Sequence, residues 1–378
     1  MSMYPSNHTK PHYLILDGLR GVAALLVICY HIFEAFATSP LDQHFNHGYL
    51  AVDFFFLLSG FVVGYAYDDR LRSGALSTGE FLLRRLIRLH PMVVMASVIG
   101  LVSFLGAGCE RWDGTTTPIA MVIVAFVMSL FMIPAGVGSG ADVRGNGELF
   151  SLNGPAWSLF FEYIGNIIYV TLLRRLSTRH LRVVVVLLGL MLATYAVGDG
   201  SGYGNIGVGW TFANHGFAGG LLRLLFSFSL GLLISRDFKP WNNARRSFLW
   251  CSVALVVLLA MPRLGGQHYW VNALYEVACI TVLFPLVLRL GASGSVEGTS
   301  ERVSRLLGDI SYPLYIVHYP LMYLFYRHVW NGSLSFDEAW PVAVGVVVAS
   351  IALAWCALRL YDLPLRKRLL ERLRHRGK

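Results

Sequence analysis

Residues 14–36 read LILDGLRGVAALLVICYHIFEAF, an apolar run long enough to cross a bilayer as one helix, since about 20 such residues suffice. Within it stand Asp17, Arg20, His31 and Glu34. An ionisable side chain at membrane depth costs at least ~2.5 kcal/mol even on lenient insertion scales, so such groups face protein or a wet cavity. Arg20 and His31 are eleven residues apart, about three turns plus roughly 20°, and share one helical face roughly 16 Å apart along the axis. Asp17 precedes Arg20 by three residues and Glu34 follows His31 by three, close enough to pair with them or orient them. The plainer reading has Arg20 snorkelling to the headgroups with Asp17 as counter-ion, and His31 as a satisfied interior histidine.

The 378 residues are 55% hydrophobic and 14% charged, with a mean hydropathy of +0.56, well outside soluble globular usage. The composition implies an all-α, polytopic transmembrane bundle of about ten spanning helices plus a possible re-entrant segment. A net charge of +9 would suggest nucleic acid in a soluble protein. Here the Lys and Arg residues fall between apolar runs, the positive-inside pattern, and no nucleic-acid partner is expected. Cys29, Cys109, Cys251, Cys279 and Cys356 lack metal-ligand spacing, so neither a disulfide framework nor a metal site is expected. No cleavable leader is evident before the first run, which reads as a retained helix.

Eleven apolar runs follow one another, at about 14–36, 48–67, 92–107, 118–137, 156–173, 183–198, 216–235, 248–261, 271–290, 310–330 and 339–361. Arg70, Arg72, Arg84, Arg85 and Arg88 place the connection 68–90 in the cytoplasm. Inside it FLLRRLIRLHP, 81–91, reads as an interfacial helix ended by Pro91. An even number of crossings, ten, puts every basic cluster and both termini inside, which leaves one of the runs 92–107 and 118–137 re-entrant or pressed against the bundle. The expected organisation is one membrane domain over 1–378, with helices from about residue 14 to 361, a basic cytoplasmic tail 362–378 and no fused soluble domain.

Other polar residues recur in the apolar runs: Asp53, Ser59, Glu162, Arg223, Glu276, and the trio Ser311, Tyr315 and His318 on one helical face beside Tyr312. Asp53, Glu162 and Arg223 can be read as buried ion pairs that fix helix register, and His318 as bonded to a backbone carbonyl. Trp157 and Trp330, near segment ends, read as interfacial anchors. The cluster Arg84, Arg85, Arg88 is either topology alone or, through Arg85 and Arg88 on one helical face, a clamp for phosphate oxygens.

Together these residues resemble the acyltransferase three family of bacterial integral-membrane O-acyltransferases. The opening LDGLRGVAALLVICYHIF carries the family's basic residue, ten intervening residues and histidine as Arg20 and His31. VDFFFLLSGF, the Arg85 to Arg88 pair, Trp157 to Glu162, and Ser311 to His318 match its later motifs in order. His90 before the proline and Phe160-Phe161 before the glutamate depart from the commoner pattern. The resemblance implies a ten-helix domain of the bacterial cytoplasmic membrane that transfers an acyl group, usually acetyl from cytoplasmic acetyl-CoA, to a hydroxyl of a surface glycan, lipid-linked sugar or secondary metabolite. No permanently bound cofactor is expected.

On this reading His31 is the general base, oriented by Glu34 or by a facing carboxylate such as Glu162. Arg20 holds donor or counter-charge, Arg84, Arg85 and Arg88 bind the donor's phosphates, and Asp17, Glu34, Asp53, Ser59, Trp157, Tyr312, Tyr315 and His318 line or support one internal chamber shared by Arg20 and His31. Two alternatives stay open: a transporter or flippase for a polyol or lipid-linked sugar, and an acyl-enzyme route through Ser59 or Ser311.

Overall fold

The structure, a computed structural model, describes residues 12–39, 41–241, 244 and 246–376. The described residues form helices and loops, with no strand beyond two isolated bridges. The bundle opens with α1 (Leu14–Glu34), α2 (Ala51–Arg72) and α3 (Thr78–Gly106), then the short α4 (Ile119–Leu130), α5 (Ala156–Thr171), α6 (Thr178–Val197) and α7 (Gly216–Asp237). It continues with α8 (Ser247–Ala260), then α9 (Tyr269–Ala278), which runs through a π-helical turn, Cys279–Leu283, into α10 (Phe284–Ser293). Next come α11 (Gly298–Val317) and α12 (Tyr319–Gly332). Finally α13 (Phe336–Cys356) passes through a second π-helical turn, Ala357–Asp362, into α14 (Leu363–Arg376).

Eight helical stretches among the described residues are long and apolar enough to cross a membrane. The ten traverses expected from the sequence count these together with the shorter α8 and the interrupted α11–α12. With 12 residues, α4 covers only about 18 Å of a hydrocarbon core roughly 30 Å thick, so of the two doubtful runs it is 118–137 that falls short. Three boundaries need correction. Pro91 does not end a helix but lies buried inside the 29-residue α3, where it removes the N–H due to the Ile87 carbonyl, and packing against neighbouring helices lets proline persist in membrane helices. The run 310–330 is broken at His318, because Pro320 has no N–H for the carbonyl of Ile316. Asn153 Nδ2 donates to that carbonyl instead, at 2.8 Å. The tail from 362 is helical as far as Arg376.

Hydrophobic burial does not drive helices together in lipid, so close packing must, and glycine supplies it here. A Cβ at Gly21 of α1 would run into the Leu307 backbone of α11, one at Gly18 would meet Ser304, and one at Gly308 would meet Asp17. Similarly Gly60 of α2 lies on the Phe228 carbonyl of α7, and Gly231 of α7 on that of Leu57. The second pair of helices is also tied by a buried ion pair, Arg223 Nη2 to Asp53 Oδ2 at 2.6 Å. Arg223 further donates to the carbonyls of Val208 at 2.6 Å and Tyr49 at 2.9 Å, so one guanidinium joins both helices to two loops.

Substituting Gly21→Val should therefore destabilise the bundle by about 1–3 kcal/mol, the usual range for overpacking. The check is the melting temperature of the detergent-solubilised protein against a Val22→Ala control, and an unchanged value would show that α1 and α11 are not held at this distance.

Candidate functional site

Arg20 and His31 stand on one face of α1 but open into different cavities. Arg20 lines a narrow cavity of about 110 Å³ at the arginine-rich end of the bundle, with Ser59, Arg85, Arg88, Glu162, Ser311 and Tyr312. His31 lines a roomier one of about 400 Å³ toward the opposite end, with Glu34, Glu148, Trp157 and a run of tyrosines. Val52 and Tyr315 line both and form the neck between them. The single chamber expected from the sequence is thus two cavities. Tyr315 Oη is tied to Ser158 Oγ at 2.8 Å, and its ring packs edge-on against Phe55 with centroids 5.3 Å apart, which holds the phenol between the cavities.

At the arginine-rich end, Arg20 Nε donates to Ser311 Oγ at 2.9 Å and its Nη2 to Asp17 Oδ1 at 3.0 Å. Asp17 is also 2.9 Å from His12 Nε2. Arg85 Nη2 donates to Glu162 Oε1 at 2.6 Å, and the same oxygen accepts from Ser59 Oγ at 2.9 Å. Glu162 is therefore occupied on the arginine-rich side of the neck and is not the carboxylate that orients His31, a correction to the second of the two expected partners. Arg88 has no carboxylate within 4.0 Å among the described residues; its guanidinium lies 5.9 Å from the centre of the Tyr312 ring. The expected trio of arginines is divided as well. Neighbours in sequence are about 100° apart around a helix, so Arg84 turns away from this cavity, bonds Glu80 Oε1 at 2.6 Å and lines a third cavity.

Across the neck, His31 Nδ1 and Glu34 Oε2 are 2.7 Å apart, and the same carboxylate oxygen accepts from Tyr326 Oη at 2.7 Å. A carboxylate at Nδ1 fixes the proton there and leaves Nε2 as the basic nitrogen. The His31 ring stacks on His318 with centroids 5.7 Å apart and meets the Tyr319 ring edge-on at 4.7 Å. His318 is fully buried. Its Nδ1 donates to the Tyr315 carbonyl at 2.8 Å, while its Nε2 has no partner.

Trp157 is not an interfacial anchor: it is buried, lines the larger cavity and carries the Arg223 guanidinium 5.6 Å from its ring centre. Asp53, through its pair with Arg223, supports that wall from behind. Trp330 is 48% exposed yet also lines the cavity, stacked on Tyr326 at 5.2 Å. With Tyr319 and Tyr323 they form one stripe along α12, at helical spacing that was visible in the sequence.

Glu148 is the wall residue that sequence reading missed. It lies on the glycine-rich loop between α4 and α5, where Asp142 accepts the backbone N–H groups of Gly138, Gly145 and Gly147 at 3.0–3.2 Å. Gly145 and Gly147 take φ of 74° and 75°, a left-handed conformation that glycine adopts without strain, and so the loop folds back over the bundle. Tyr323 Oη donates to Glu148 Oε2. Burial pushes the Glu148 carboxyl up to about 7.

The geometry offers a base beside an aromatic-walled cavity on one side of a neck and a set of guanidiniums on the other. Among the described residues no cluster of His, Cys, Asp and Glu could hold a metal ion. A family model described as an acyltransferase domain matches residues 13–359. Protein 2 in the picA locus of Rhizobium radiobacter is 36% identical over 173 residues, 43% of this chain and 84% of that protein. Acyltransferase MdmB of Streptomyces mycarofaciens is 26% identical over 365 residues, 90% of this chain and 86% of its own length. A Staphylococcus aureus protein (strain COL), provisionally named an O-acetyltransferase, is 26% identical over 380 residues, 93% of this chain, which spans only 57% of that protein. No solved structure matches.

Because burial lifts the Glu148 carboxyl from its ordinary 4.5 to about 7, the folded chain holds that proton more tightly than the unfolded one. Its contribution to stability is complete below 4.5 and is lost as pH rises through about 7. Glu148→Gln should remove this part of the fall in melting temperature between about pH 5 and about pH 8. An identical pH profile in the variant would contradict the assignment.

Proposed function

The chain belongs to the acyltransferase family whose model matches residues 13–359, and from that premise we propose that it takes acetyl from cytoplasmic acetyl-CoA and places it on a hydroxyl of an acceptor in the larger cavity. The acceptor is a surface or exported polysaccharide, a lipid-linked sugar or a secondary metabolite. The observation that carries this reading is the pair of cavities meeting at one neck, with the guanidiniums of Arg20, Arg85 and Arg88 on one side and the His31–Glu34 pair on the other. Phosphate oxygens suit the first side. A ring-shaped polyhydroxylated acceptor suits the second, where aromatic faces and carboxylates alternate.

The step balances without a further reactant. His31 Nε2 takes the proton of the acceptor hydroxyl as its oxygen bonds the thioester carbonyl carbon. The C–S bond then breaks, and the proton passes from the imidazolium to the departing thiolate. Glu34 at Nδ1 stabilises that imidazolium. Positive charge from Arg20 steadies the donor below the neck. Direct transfer is supported over an acyl-enzyme because both candidate serines are engaged: Ser59 Oγ donates to Glu162, and Ser311 Oγ accepts from Arg20 while donating to the Gly308 carbonyl at 2.7 Å. Neither is bonded to an imidazole that could activate it. The basic clusters support a bacterial cytoplasmic-membrane location with the arginine-rich end and both termini inside. On that orientation the acceptor meets the acyl group from the far side and CoA never crosses.

His31→Ala should lower acetyl transfer by about 10²–10⁴-fold, the range for loss of a general base, while acetyl-CoA still binds; transfer at the original rate would remove His31 from the chemistry. A plug at the neck gives an independent check. Val52→Trp should block transfer while acetyl-CoA still binds, and full activity in that variant would mean the acyl group does not pass between Val52 and Tyr315.

A further inference from the structure

The helix α14 takes no part in the chemistry above, yet it faces the first half of α3 across a cavity of about 420 Å³. The wall presents Arg84 and Arg88 from α3, Arg366 and Lys367 from α14, and apolar Ile87 and Leu363. Positive-inside topology accounts for basic residues at this end of the protein. It does not account for two helices turning theirs toward one another, where like charges repel. Two of the four are held by acids of their own: Arg84 bonds Glu80 at 2.6 Å, and Arg366 Nε lies 3.2 Å from the buried Asp362. Arg88 and Lys367 have no carboxylate within 4.0 Å among the described residues, and Glu371 is the one acid on the cavity wall. Arg88 also lines the cavity that holds Arg20 and Arg85, so it stands where the two meet.

We propose that the α3–α14 cavity seats the nucleotide end of the donor. Ile87 and Leu363 pack on the base. Arg84, Arg366 and Lys367 hold the 3′-phosphate, and Arg88 at the junction receives the pyrophosphate, from which the pantetheine arm enters the cavity of Arg20. Guanidiniums already fixed by a carboxylate keep further N–H donors free for phosphate oxygens. The inference rests on the donor reading above and adds α14 to the donor site. A phosphate of the same chemistry could belong to an anionic lipid headgroup, and the test separates the two.

The test uses the full chain in discs of phosphatidylcholine, titrated with CoA, dephospho-CoA and 4′-phosphopantetheine. Wild type should bind CoA about tenfold more tightly than dephospho-CoA, as expected for one charge-assisted phosphate site. Lys367→Glu should weaken CoA binding about tenfold and abolish that discrimination, with phosphopantetheine affinity preserved and Lys367→Arg behaving as wild type. Unchanged discrimination in Lys367→Glu, or equal loss for all three ligands, overturns the proposal. Lys367→Glu that leaves CoA binding intact but releases phosphatidylglycerol from mixed discs assigns the cavity to a lipid headgroup and overturns it too. Wild type that binds none of the three ligands overturns the donor reading itself.

Discussion

The close approach of α1 to α11 is the constraint on which the remaining geometry depends. With Gly18, Gly21 and Gly308 at the contact, the two backbones lie near enough for Arg20 to reach Ser311 of α11 and for His31 to stack on His318, the residue just past the end of that helix. The counterparts are seven residues apart, about two turns, against eleven on α1. The two helices therefore fan the polar groups toward opposite ends of a shared interior rather than clustering them. Wider spacing would let lipid or side chains fill the seam, and an arginine and a histidine at membrane depth would keep only their partners on α1, Asp17 and Glu34.

Buried ion pairs then sort the arginines. A buried pair contributes little net stability, because desolvation offsets its attraction, but breaking one is costly, so it fixes register. Arg223 with Asp53, Arg236 with Asp68 and Arg85 with Glu162 each join two helices in this way. What distinguishes Arg88 is that it has the same setting and no such partner. Among the described residues it has no carboxylate within 4.0 Å, and it stands where two cavities meet.

Much of this was legible in the sequence, for reasons that are local. The eleven-residue interval from Arg20 to His31 and the three-residue steps to Asp17 and Glu34 are properties of one helix, and the structure keeps them. The expectations that failed depended on other elements. Glu162 could face His31 or Arg85 depending on how α5 is turned, and no spacing within α5 reports that. Pro91 reads as a stop unless the helices that pack around α3 are known, and no residue close to it in sequence reports them. Glu148 looked like part of a connection because burial of a loop is created by what it folds over, here the tyrosines of α12. The shared chamber failed for a similar reason: Tyr315 was correctly placed toward the interior, but its bond to Ser158 is a contact between helices far apart in sequence.

That bond also indicates how the neck can yield. Two elements could move to join the cavities, the α1–α11 seam or the Tyr315 side chain. Shifting the seam would disturb the glycine contacts and expose Arg20 and His31 together, at several kcal/mol for each charged group left without a partner. Releasing Tyr315 breaks one neutral hydrogen bond, worth about 0.5–1.5 kcal/mol net, and one edge-on aromatic contact, worth a similar amount. A rotamer change of that cost, about 1–3 kcal/mol in all, populates the open neck at roughly 1–15 per cent without any ligand. A ligand that packs where the phenol stands needs only a comparably small preference for the open state to hold it there. Of the two elements the side chain is the cheaper to move, and the α1–α11 frame that sets the distance between the two cavities stays in place when it does.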